Sequence, residues 1–294
     1  MNLFGTVFFG LISAVTWGIG DFSGGVAARK MPARLAVLFS QVMGLATLVT
    51  LALLWGEPAL SVRDVFISGA AGITGVLGLF TLYRVFAMGG VSLAAPIAGV
   101  VSTIVPVTFG MLTQGLPKLP ILIGFALAIV GVWFVSRSTG AEDVPAAAET
   151  TTKRTVERAV PMQVLLPVIS GLCFGAFLIL ISQVHSTAVF MPLVWARIAS
   201  LTVMAVLVLS QREFAVPPKD ALLPLVLCGF MDAMGNAFFV AAKLAGRLDV
   251  ASALSSLYPA STVVLALLLF KERMNRFQAV GVVLILIAIP LIAA

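Results

Sequence analysis

A few polar side chains stand inside otherwise apolar stretches of this chain, and their types and spacing suit a binding or proton-exchange site. Asp232 occupies the middle of FMDAMGNAFF, and Asn236, four residues on, falls on the same helical face. Lys243 continues that stripe toward the end of the segment, and Arg197 lies near the centre of the apolar segment before it. Asp21 lies in the first segment with Trp17 one turn ahead of it, and Gln41 lies in the second. A charge near mid-membrane costs about 2.5–3.5 kcal/mol even on the more lenient insertion scale, so an intramembrane ionisable residue is a functional candidate by default.

Two chemistries fit these residues. In one, Asp232 and Arg197 neutralise each other as an ion pair between neighbouring helices. In the other, at least one acid faces a watery cavity and binds substrate or a proton, as proton-coupled transport requires. Trp17 above Asp21 would seat a cation over its ring face. Tyr258, Ser255 and Ser256 near Pro259, and Ser102 and Thr103 near Pro106, add neutral hydrogen-bonding groups beside two prolines expected to kink their helices. The substrate-binding set read from sequence is therefore Asp232, Asn236, Arg197, Asp21, Trp17, Gln41, Tyr258 and Ser256. His185, the one histidine, sits at a segment end, where a solvated or capping role is expected. Cys173 and Cys228 fall inside apolar spans as small packing residues, with no CxxC pairing.

The elements that must position these groups follow from composition. The chain of 294 residues is 61% apolar and 10% charged, with mean hydropathy +1.14, whereas soluble domains carry roughly 25% charged residues. Ten stretches approach the length of about 20 apolar residues that crosses a bilayer: 4–27, 35–55, 66–87, 92–113, 119–136, 162–184, 189–210, 222–243, 249–270 and 276–293. Helices are required, because lipid cannot satisfy an open backbone. At 1.5 Å per residue, Asp21, Gln41 and Asp232 lie roughly 9–15 Å in from the side of the odd-numbered loops, with Arg197 and Asn236 somewhat deeper.

The chain also reads twice at a fixed offset of 157 residues: Ile12-Ser13 returns as Ile169-Ser170, Gly18 as Gly175, Gly72 as Gly229, Gly78 as Gly235 and Gly124 as Gly281. Each copy holds five apolar segments, an odd number, so two fused copies enter the membrane in opposite directions. The fold expected is an all-α integral membrane protein, ten transmembrane helices in two inverted five-helix repeats around a central cavity. The repeats span 1–136 and 161–294, joined by a flexible linker over 137–160 that is rich in Ala, Thr and Glu and lacks apolar periodicity. Small residues at Gly69, Gly72, Gly75 and Gly78, at Gly20 and Gly24, and at Gly171 and Gly175 are read as close helix contacts.

Loop charge gives an orientation. Arg29, Lys30, Arg34, Arg84, Arg137, Lys153, Arg154, Arg158, Arg212, Lys219, Lys271, Arg273 and Arg276 fall in odd-numbered loops, against Arg63, Lys118, Lys243 and Arg247 in even ones. The positive-inside rule leans to both termini outside a plasma (bacterial inner) membrane. No basic stretch precedes the first segment as it would in a cleavable leader. No basic cluster is dense enough for nucleic acid, and no phosphate-cradling loop supports ATP-driven transport. The expected partners are a small-molecule substrate and the lipid bilayer, with no cofactor beyond proton coupling, and the expected state is a monomer or weak homodimer.

WGIGDFSGG at 17–25, SLAAPI at 92–97 and SSLYPASTVVLALLLFKER at 255–273 resemble helix signatures of the drug/metabolite transporter superfamily, in its EamA-type ten-helix branch. Arg197 falls where members often carry an Arg in the seventh helix, and Glu272 at the family's recurrent glycine-glutamate position. Gln114-Gly115 and Lys271 depart from that pattern. The resemblance implies a basket of helices around a cavity, with the fifth and tenth peripheral, and export of small metabolites such as amino acids or amines by alternating access. One alternative is an intramembrane aspartyl protease, since Gly18-Ile19-Gly20-Asp21 matches GxGD and Pro58-Ala59-Leu60 lies elsewhere; it would need two carboxylates sharing a proton. The other is a scaffold whose buried polar groups all pair and leave no cavity.

Overall fold

The computed structural model describes residues 2–87, 91–136, 156–211, 215–258, 260–261 and 276–292. Among them the regular elements are all helices: α1 (Leu3–Ala28), α2 (Ala33–Trp55), α3 (Val62–Ala87), α4 (Val91–Gln114), α5 (Leu119–Ser136), α6 (Val156–Ser182), α7 (Met191–Ser210), α8 (Lys219–Ala245), α9 (Leu248–Ser255) and α10 (Arg276–Ile292). Seven of them, α1 to α4 and α6 to α8, contain stretches long and apolar enough to cross a bilayer, and α5 and α10 are shorter apolar helices. The chain is thus the all-α membrane protein its composition dictates. Residues 137–155 of the stretch read as linker lie outside the described residues, and α6 begins inside that stretch, at Val156.

The ninth span, read as one apolar stretch over 249–270 kinked at Pro259, is interrupted just before that proline: α9 ends at Ser255, and Ser256 and Leu257 form a turn before helical residues resume at Tyr258. Tight i→i−3 bonds mark the break: Leu257 N–H donates to Leu254 O at 3.2 Å and Ala260 N–H to Leu257 O at 2.9 Å. The sequence contains the reason. Pro259, four residues past Ser255, has no N–H to offer that carbonyl. Pro259 itself, together with Lys271, Glu272 and Arg273, lies outside the described residues. In the first half, α4 runs through Pro106 as one helix.

Helices of the two halves interleave. α1 packs along α8 and α6 along α3, α2 against α7, α9 against α1 and α4 against α6, while α5 and α10 pair with each other. Each of these contacts maps onto another, or onto itself, when the halves are exchanged. Hydrogen bonds repeat the relation: Ser13 Oγ–H donates to Gly235 O at 2.8 Å, and its counterpart Ser170 Oγ–H donates to Gly78 O at 2.8 Å. Backbone carbonyls of α8 and α3 come within reach of a serine because the facing residues are small. A Cβ at Gly72 would run into the Ala196 backbone of α7, and one at Gly229 into the Ser40 carbonyl of α2. The glycine series of α3 is therefore a packing device, as its spacing implied, and it draws α3 onto α7 and α6.

Candidate functional site

α1 to α4 and α6 to α8, with the turn after α9, enclose a cavity of about 790 Å³ free of protein atoms, its open mouth included. All eight residues singled out from sequence line it: Trp17 and Asp21 from α1, Gln41 from α2, Arg197 from α7, Asp232 and Asn236 from α8, and Ser256 and Tyr258 beyond α9. Helices α5 and α10 contribute none, and lie outside the basket against each other.

The polar groups are not equivalent. Arg197, 7% exposed, is held from two sides. One of its terminal nitrogens donates to Gln41 Oε1, and the other forms an ion pair with Asp232 Oδ2. Gly44 of α2 leaves room for the guanidinium, since a Cβ there would stand 3.3 Å from Nε. Asn236, one turn beyond Asp232, donates from Nδ2 to Asp232 O at 2.7 Å and to Oδ1 at 3.3 Å. Both carboxylate oxygens of Asp232 are thereby engaged. The ion-pair chemistry and the cavity-wall chemistry considered from sequence are both realised in this one residue.

Asp21 differs. It borders the same cavity, close enough to Asp232 for their charges to repel, yet no hydrogen bond or ion pair among the described residues engages its carboxyl. Counting formal charges around the cavity, two carboxylates face one guanidinium, and the acid left over is Asp21. Beside it Trp17 stacks on Phe239 with ring centroids 6.0 Å apart and meets Tyr258 edge-on at 6.2 Å. Gly235 makes that seat possible, because any Cβ there would strike the indole. The Tyr258 hydroxyl hydrogen-bonds Ser102 of α4, fixing the far side of the aromatic wall.

Lys243 does not join the cavity despite its place in the Asp232 stripe. Its Nζ donates to Val184 O at 3.5 Å at the end of α8. His185 is exposed, and its backbone N–H donates to Asp64 Oδ1 at 3.2 Å. Nor do the two aspartates form the dyad of an aspartyl protease: Asp232 is occupied by Arg197 and Asn236, and no hydrogen bond joins it to Asp21. No cluster of three or more metal-ligating side chains occurs among the described residues.

With a helical basket and its cavity established, comparison with known proteins is informative. Residues 161–294 match the family described as EamA, the EamA-like transporter family. That match covers the second half of the chain, is to a family of membrane transporters of the drug/metabolite type, and includes the motif at 255–273 that had pointed to it. A solved structure titled only "Crystal structure of protein" aligns with a TM-score of 0.73 over 97% of this chain and 94% of its own length. At 14% identity that likeness shows the fold of this chain and nothing about substrate. No curated protein matches.

Sequence reasoning missed the other wall. Gly75 and Leu79 of α3 and Phe174, Phe177 and Leu178 of α6 also line the cavity. Nothing about an apolar residue in an apolar helix marks it as functional. The repeat offset would have found four of them: adding or subtracting 157 carries Trp17 to Phe174, Asp21 to Leu178, Asp232 to Gly75 and Asn236 to Leu79.

Proposed function

We propose that this protein is a secondary transporter that carries a small polar or amphiphilic metabolite, of the amino acid or amine class, out across the plasma membrane by alternating access coupled to protons. The observation that carries the reading is the carboxyl of Asp21, unpaired among the described residues, in the wall of a cavity whose other acid is matched by Arg197. Such a group accepts either a proton or a cationic substrate headgroup, and exclusion of one by the other couples their movement. Trp17 and Tyr258 offer the ring faces and edges that favour a cation beside it. Arg197 and Asp232, braced by Gln41 and Asn236, form a fixed polar floor. Both termini outside is the orientation the loop charges favour, and the inverted pairing of the halves supplies the two equivalent states that alternating access needs.

The cavity, with an acid lacking a protein partner, disfavours a scaffold whose buried polar groups all pair. The engagement of Asp232 by Arg197 likewise disfavours a protease dyad. Purified protein in sealed vesicles with an imposed pH gradient, screened against amines and amino acids, tests the proposal. Gradient-dependent movement of a cationic substrate that Asp21→Asn abolishes is the expected result. Movement that ignores both the gradient and that substitution overturns it.

A further inference from the structure

The two-fold relation between the halves assigns a second, apolar subsite to the same cavity. We infer that the α3–α6 wall binds the nonpolar body of an amphiphile whose charged head sits at Asp21. The inference rests on the functional reading above for the head alone.

Four pairs of positions related by the 157-residue offset line the same cavity, and every one of the four is polarised in the same direction. On the α1–α8 side stand the acids Asp21 and Asp232, with Trp17 and Asn236. Their counterparts on the α6–α3 side are Leu178, Gly75, Phe174 and Leu79. One wall has thus kept ionisable and hydrogen-bonding groups at the positions where the other carries hydrocarbon or no side chain. A fully polar solute would leave the second wall in contact with water it cannot bond. A fully apolar one would bury Asp21 without a partner, which is costly. A molecule with one cationic end and a short aliphatic or aromatic body satisfies both walls at once, lying across the axis that relates the halves.

Gly75 sets the depth of that subsite. A Cβ there would stand 3.1 Å from the Phe177 ring, so the ring occupies the space a larger residue would need. Adding a methyl at this lining position makes the Phe177 ring give way and takes room from the body. The head, seated on α1, is untouched.

The test is calorimetric titration of the purified full chain in detergent with ethyl-, butyl- and hexylammonium. Burial in a protein subsite predicts affinity rising about fourfold per added methylene. Leu79→Asn, which installs the residue of the equivalent position in the other half, and Gly75→Ala should each cut that slope by at least half. Ethylammonium affinity should stay as in the parent, and the same micelle in every titration cancels partition of the longer probes. Asp21→Asn should weaken all three probes by one common factor and leave the slope intact. A slope that neither variant changes, with melting temperatures near the parent's, overturns the subsite while leaving the head at Asp21 standing. A slope that responds as expected while Asp21→Asn has no effect sustains the subsite and overturns the cation reading. Absence of binding by all three probes overturns both.

Discussion

Replacing Arg197 by methionine tests whether the polar floor is a coupled unit. In the folded protein Arg197 is the cation paired with Asp232 and the donor to Gln41, and it is itself 7% exposed. Removing one partner of a buried ion pair costs about 3–5 kcal/mol, since the other charge stays behind uncompensated. Asp232 keeps its bond from Asn236, and 31% of its side chain remains exposed toward the cavity, so the lower end, about 3 kcal/mol, applies to Arg197→Met. With roughly 2–4 °C per kcal/mol for a chain of this order, the melting temperature should fall by about 6–12 °C. Asp232→Leu alone should cost at least as much, because it strands the more deeply buried guanidinium. The double variant Arg197→Met/Asp232→Leu removes both charges and should lie within about 1 kcal/mol of the parent. Thermal unfolding in detergent for the four proteins closes the cycle. A coupling below about 0.5 kcal/mol, with the two single effects simply adding, would refute the argument that the pair acts as one unit.

Asp21→Asn should behave oppositely: melting at or above the parent's temperature, because no partner is lost, together with loss of the response to a pH gradient in vesicles. Equal destabilisation by Asp21→Asn and Asp232→Asn would contradict that separation of roles. Ser13→Ala and Ser170→Ala remove the same bond from the two halves. Each should cost about 0.6 kcal/mol, and the two should add, as read by denaturant titration in mixed micelles. Glu57 accepts the backbone N–H groups of Val189, Phe190 and Met191 at the start of α7, at 2.7–3.1 Å. Glu57→Ala should therefore destabilise by about 1–2 kcal/mol, with faster amide exchange confined to the first turn of that helix. Gly72→Val places atoms in the Ala196 backbone, and should abolish monodisperse folded protein on size exclusion.

Much of this architecture was legible in the residues because the bilayer acts on each segment separately. Apolar length alone marks a span, and the doubling at 157 residues with an odd number of spans marks inversion. The site's polar half was legible for the same reason: an Asp, Arg or Gln inside hydrocarbon is costly enough to stand out. The interruption near Pro259 was legible as a kink, because a proline leaves a carbonyl without its donor, but Pro106, read by the same rule, lies within one continuous helix. Lys243 followed the right helical stripe yet lies at the helix end, where Val184 takes its ammonium. Stripe membership gives a face, and depth decides whether that face is cavity or rim.

The sequence by itself determined the spans, the inverted doubling and the list of polar groups that had to meet away from lipid. Only the tertiary structure decided who meets whom: that Arg197 is taken by Asp232 and Gln41, that Asp21 has no hydrogen-bond or ion-pair partner among the described residues, and that Gly75, Leu79, Phe174 and Leu178 line the same cavity. The physical reason is that hydrophobicity fixes where a helix sits along the membrane normal but not its rotation about its own axis. Rotation is set by close contacts between halves, such as Gly72 on Ala196 and Gly229 on Ser40, and those contacts join residues more than a hundred positions apart.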